Sequence, residues 1–142
     1  FSNVAFGDDI APVTAFMDGV VINNTNFDNT NLRDANLSQA SGHASSFGNA
    51  VCNCCRFDGV NLGSVNFDGA NLENASFERA TMVFGSFSGA MLTNVSLFQA
   101  RVATIDFSST TMSNVTCPNG TNSNGNGNSC DGQFIDRSSR AP

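Results

Sequence analysis

Val65-Asn66-Phe67-Asp68-Gly69-Ala70-Asn71-Leu72-Glu73-Asn74-Ala75-Ser76-Phe77 sets a large apolar residue at every fifth position and a small apolar one two places before it. Followed outward, the large series runs unbroken in register from Ile22 to Cys117, and only Gly42 departs from the apolar rule. The position two before is mostly small, as at Ala35, Ala40, Ala50, Ala80, Ala90 and Ala100. The residue between them is often Asn or Ser, as at Asn26, Asn31, Asn36, Ser86 and Ser96. A period of five fits neither a 3.6-residue helix nor a 2-residue strand over any length. A chain keeps it by making a short extended piece, turning, and repeating. Alternation then points the large residue and the small one inward and the other three outward, which accounts for their polarity.

The runs Ala35-Asn36-Leu37, Ala70-Asn71-Leu72 and Ala75-Ser76-Phe77 resemble the A(D/N)LXX consensus of the pentapeptide-repeat family, and the resemblance covers about residues 20–117. It implies an all-β fold: a right-handed quadrilateral β-helix with four pentapeptides to a coil and about five coils here. A twenty-residue period is also visible within the sequence, because Phe27, Phe47, Phe67, Phe87 and Phe107 are all Phe. The other inward columns are mixed. Five coils at strand spacing make a rod roughly 24 Å long, with this Phe ladder as its main core.

The whole chain, 1–142, reads as one domain. Residues 1–19 are expected to form an N-terminal cap. Asp8-Asp9-Ile10-Ala11-Pro12 and the closing Asp18-Gly19 are helix boundary signals. One further repeat is the competing reading, since Ala15 and Met17 fit the register. Residues 20–117 are the β-helix and 118–136 a C-terminal loop and cap. Phe134 and Ile135 are expected to fold back as an apolar lid, and 137–142 to be a disordered tail. The weak repeat Ser41-Gly42-His43-Ala44-Ser45-Ser46 predicts a looser corner or a small bulge.

After Cys117 the register stops, and the Asn/Gly-rich segment 118–129 leads to Cys130. It reads as a flexible loop that a Cys117–Cys130 disulfide would pin over the last coil. Such a loop is similar to the C-terminal end of some cyanobacterial and chloroplast-lumen members of the family. A disulfide implies an oxidising compartment, so a periplasmic, thylakoid-lumen or secreted location is expected. No stretch is long and apolar enough to span a membrane. No signal peptide is legible, and the start at Phe1 is what a mature or trimmed form would show.

Charged residues make up 13 % of the chain, the net charge is −6, and all six basic residues are Arg. That excludes the positive stripe needed for direct nucleic-acid binding. Cys52, Cys54 and Cys55 are too divergent in register for a metal site, with two expected inside and Cys54 outside. The lone His43 lacks triad partners. The Asn/Gly loop lacks the carboxylates calcium needs. Asp28 with Asp68, and Asp58 with Glu78, share faces and read as solvated surface charge, because a convex face has no cleft to shift them. Asn23, Asn36, Asn74, Asn94, Asn114 and Asn119 sit in Asn-x-Ser/Thr triplets that the repeat itself generates. No enzyme activity, cofactor or metal is expected.

Val83, Phe84, Met91 and Phe98 are apolar where polar residues are the rule, and they mark a partner surface or a local burial. The expected role is a non-enzymatic structural or protein-interaction solenoid with an unidentified protein partner, a monomer rather than a dimer. The family resemblance supplies an alternative, a DNA-mimic protein that binds DNA gyrase; a net charge of −6 interspersed with Arg is a poor mimic.

Overall fold

The structure, a computed structural model, describes residues 15–131. Parallel bridges link residues twenty apart on four faces. One face stacks Phe16, Asn36, Arg56, Ser76, Ser96 and Thr116. The second carries Val21 and then β1 (Ser41–His43), β2 (Asn61–Gly63), β3 (Thr81–Ser86) and the strand β5 (Arg101–Asp106). Asn26, Ser46, Asn66 and Ser86 stack on the third. Asn31, Val51 and Asn71 form the fourth, continued by β4 (Met91–Thr93) and β6 (Thr111–Ser113). The result is a right-handed quadrilateral β-helix, with sheet order β1-β2-β3-β5 and a separate pair β4-β6.

Each unit is held to the next coil by a backbone pair. The Phe27 N–H donates to the Ser46 carbonyl at 2.7 Å, and the Ser46 N–H donates to the Thr25 carbonyl at 3.0 Å. Each corner turns through a left-handed residue, such as Asn29 (φ 58), Asp34 (φ 60), Gln39 (φ 59) or Gly69 (φ 66). That conformation favours Gly and Asn, so the abundance of these residues follows from the number of corners. The inner side chain sets how tightly a corner closes. The Ala35, Ala50 and Ala70 amides meet their turn carbonyls at 2.9–3.0 Å, and the Val20 and Val60 amides theirs at 3.3 and 3.4 Å. After Leu62 and Leu92 the corner is a bend rather than a closed turn, with Val65 and Val95 inside.

The core is a column of stacked rings. Phe27, Phe47, Phe67 and Phe87 lie 4.6–4.8 Å apart with planes within 20° of parallel. Phe107 ends the stack at 5.4 Å and is half-buried. A second stack, Phe57 on Phe77 at 4.7 Å, meets the first edge to face at 5.3–5.8 Å. Strand spacing imposes the stacking, and the edge-to-face contacts supply the favoured ring geometry.

Two expectations need correction. The N-terminal helix does not reach residues 15–19. Phe16 bridges Asn36, Met17 is buried, and its N–H donates to the Asn36 carbonyl at 2.7 Å. Once the next coil offers carbonyls in register, the extended repeat satisfies these amides and buries Met17. Residues 1–14 lie outside the described residues, as do Phe134, Ile135 and the tail. Of the looser corner or small bulge expected at Gly42, the bulge is absent, since β1 pairs with β2 in perfect register, and the corner at Ala44 is the looser kind, a bend rather than a closed turn. Glycine stands at position 42 because a β-carbon would meet the Ile22 backbone carbonyl and its side chain.

Candidate interaction surface

The four outward apolar residues do not form one patch. Val83 lies in β3, half-buried, and Phe84 follows at the corner, 63 % exposed and left-handed at φ 56. Met91 is 45 % exposed but belongs to β4, in the other sheet. Phe98 is half-buried under the C-terminal loop, where a β-carbon on Gly120 would lie 3.3 Å from its ring. The residues are neighbours in sequence, but the coil carries them around different faces. Beside Phe84 runs a shallow open groove of about 400 Å³ lined by Ser64, Val65, Asn66, Gly85, Ser86 and Thr104. Gly85 stands beside it because a β-carbon would sit 2.6 Å from the Val65 carbonyl oxygen.

Cys117 and Cys130 are joined, with Cα atoms 5.5 Å apart and both residues buried. The bracketed segment is more ordered than its composition predicts. Thr116 bridges Asn122 antiparallel, the Cys117 N–H donates to the Thr121 carbonyl at 2.8 Å, and a 3₁₀ turn spans Ser123–Asn126. Buried Ser123 accepts from the Val115 N–H through its hydroxyl at 3.0 Å, and Asn124 Oδ1 accepts from the Asn114 N–H at 2.8 Å. The Asn and Ser side chains satisfy the edge donors of the last coil, and so the loop is fixed. Three of the Asn-x-Ser/Thr asparagines stack with it: Asn94 donates to Asn74 at 3.1 Å, Asn114 to Asn94 at 2.9 Å, and Asn122 to Asn114 at 2.8 Å.

Cys52 and Cys55 are buried and Cys54 is exposed, all three as free thiols. A hydrogen bond with Cys55, and then burial, hold the Cys52 thiol well above its ordinary pKa. The Cys55 thiol donates to the Leu32 carbonyl at 2.9 Å. His43 is exposed, with its ring over Gly63. Among the described residues, no group of three or more His, Cys, Asp or Glu is placed to hold a metal ion. No helix among them is long and apolar enough to cross a membrane. The surface carboxylates depart from the sequence reading: Asp28, Asp58, Asp68 and Glu78 each accept hydrogen bonds from the following coil rather than standing free in solvent.

The family model described as pentapeptide repeats matches eight copies over residues 21–51 and 55–94. No curated protein sequence matches the chain. Among solved structures, HetL, a pentapeptide repeat protein involved in heterocyst differentiation regulation from the cyanobacterium Nostoc sp. strain PCC 7120, is 16 % identical with a TM-score of 0.56. The match covers 78 % of this chain and 60 % of HetL, so the chain spans less than two thirds of that protein's length. A pentapeptide repeat protein of the Arabidopsis thaliana thylakoid lumen is 17 % identical over 70 % of this chain and 66 % of its own, with a TM-score of 0.43. QnrB1, a plasmid-mediated fluoroquinolone resistance protein, is 17 % identical over 72 % of this chain and 58 % of its own, with a TM-score of 0.42.

Proposed function

The chain belongs to the pentapeptide-repeat family, and from that premise we propose that it is a non-enzymatic protein-interaction rod working outside the cytoplasm. The observation that carries this reading is Phe84. An aromatic side chain 63 % exposed leaves apolar area in water, and a left-handed φ of 56 is costly for a bulky residue. The corner itself imposes that φ, as it does at the other corners, and a protein partner that covers the ring offsets the exposure. The buried Cys117–Cys130 disulfide supports the compartment, since such bonds persist where thiols are not kept reduced.

Affinity capture on the wild-type protein and on Phe84→Ser tests the reading. A protein retained by the first and lost from the second is the expected result; equal retention by both overturns Phe84 as the contact. Alkylation of thiols in intact cells, followed by mass spectrometry, tests the compartment: Cys117 and Cys130 should be unmodified, and alkylated cysteines there would place the chain in a reducing environment. The gyrase-binding alternative gains little from this surface. Arg56 pairs with Asp58 at 3.2 Å, and Arg79 follows Glu78, so the carboxylates are interrupted by cations. Inhibition of gyrase supercoiling at micromolar protein would restore it.

A further inference from the structure

Five outward positions just before the inward residue of the every-fifth series carry Ser: Ser41, Ser46, Ser76, Ser86 and Ser96. Six others of this class carry Asn, and at five of them the side chain closes its own corner. The Oδ1 atoms of Asn26, Asn36, Asn66 and Asn71 accept from the amide two residues on at 2.7–3.1 Å, and Asn31 does so at 3.3 Å. Serine has a shorter side chain and fills this role poorly. The Ser86 and Ser96 hydroxyls stand 3.2 and 3.4 Å from the corresponding amides, and Ser41, Ser46 and Ser76 have no such bond.

The corner amide is met from the coil before. The His43 N–H donates to Asn23 Oδ1 at 3.0 Å, the Gly48 N–H to Asp28 at 2.6 Å, the Glu78 N–H to Asp58 at 3.1 Å and the Ser88 N–H to Asp68 at 2.9 Å. The Ser46, Ser76 and Ser86 hydroxyls donate to those same Asp28, Asp58 and Asp68 carboxylates, and the Ser96 hydroxyl donates to Glu78 at 3.0 Å. For every one of these serines, the residue eighteen places earlier is Asn, Asp or Glu.

We infer that Asp28, Asp58 and Asp68 are coil-to-coil clasps, each supplying from the previous coil the acceptor that an asparagine in place of its partner serine would supply from within; Glu78 ties its coil to the next through the Ser96 hydroxyl alone. A carboxylate that accepts a hydroxyl and an amide together makes charge-assisted bonds, and it ties two coils where asparagine ties only one corner. The acidity of this surface therefore serves the stack, with one oxygen of each carboxylate engaged by the following coil.

The exchange between the two devices is testable at Asp68 and Ser86, where no Arg is paired. Asp68→Ala should speed hydrogen exchange of the Ser88 amide by about tenfold and lower the thermal midpoint by about 2–4 °C. Adding Ser86→Asn should restore the Ser88 protection, because Asn26 and Asn66 already close this corner in the same column. Ser86→Asn alone should leave that protection unchanged. Unchanged exchange in Asp68→Ala, or a double variant no better protected than Asp68→Ala, overturns the inference. If Asp68→Ala does not fold, a folded double variant supports the exchange and an unfolded one refutes it. The same pair of changes at Asp28 and Ser46 repeats the test on an earlier coil.

Discussion

At the scale of single residues, the inward ring stack and the inward glycines are set by opposite demands on the same narrow lumen. Phe67 touches rings above, below and beside it, so Phe67→Ala leaves a cavity that neighbours held at strand spacing cannot fill. Its cost should be about 3–5 kcal/mol, read from urea denaturation. Phe107→Ala, at the half-exposed end of the stack, should cost clearly less. Gly42→Ala should also destabilise, because the added carbon meets the Ile22 carbonyl carbon at 2.8 Å and that backbone is fixed by the ladder. The thiols separate by side of the wall. In native protein at neutral pH, iodoacetamide should modify Cys54 and spare Cys52 and Cys55. The Cys52 shift is upward, which disfavours its thiolate, so raising the pH to that of an ordinary thiol should still leave it unmodified. Denaturation without reductant should expose three thiols, and with reductant all five. The inward or outward place of each cysteine is legible from the period of five. The reason for Gly42 is not, because it depends on a residue twenty positions away in another coil.

The element with most to lose is the C-terminal loop. It covers the last-coil edge at Thr116 through the Thr116–Asn122 bridge and the corner after β6 through Ser123 and Asn124, while the half-buried Val102, Ile105 and Phe107, with Asp131, line an open depression of about 300 Å³ beside β5. Closing a loop with a sequence separation of 13 restricts the unfolded chain, so Cys117→Ser with Cys130→Ser should lower stability by about 3 kcal/mol. Denaturation midpoints with and without reductant measure it: reductant should shift the wild type and leave the double variant unmoved. The hydrogen bonds that hold Ser123 and Asn124 should keep the loop in place at low denaturant even then. Composition alone gave this segment no order, because Asn, Ser and Gly carry no periodic signal. The order comes from the last coil, whose edge amides select those side chains as partners.

For the molecule as a whole, each coil contacts its neighbours, and stability should scale as a nearest-neighbour sum. Removing one full coil, residues 61–80, keeps each later residue on its face, since the bridges recur every twenty. That variant should stay folded by circular dichroism with a lower midpoint. Removing half a coil moves Phe87 to the opposite face from Phe47 and should cost far more. The sequence by itself determined the register, the inward and outward class of the repeat residues, the five-Phe column and the family, because a period of five admits only a short extended piece and a corner. It also marked Val83, Phe84, Met91 and Phe98 as unusual, yet it grouped residues that the coil separates. Only the tertiary structure decided what neighbours across coils decide: that residues 15–19 extend as a repeat, that Phe98 lies under the loop while Phe84 faces solvent, and that the acidic residues clasp serines eighteen positions on. Those outcomes rest on hydrogen bonds and contacts between residues about twenty apart, where a local reading of polarity or propensity has no information.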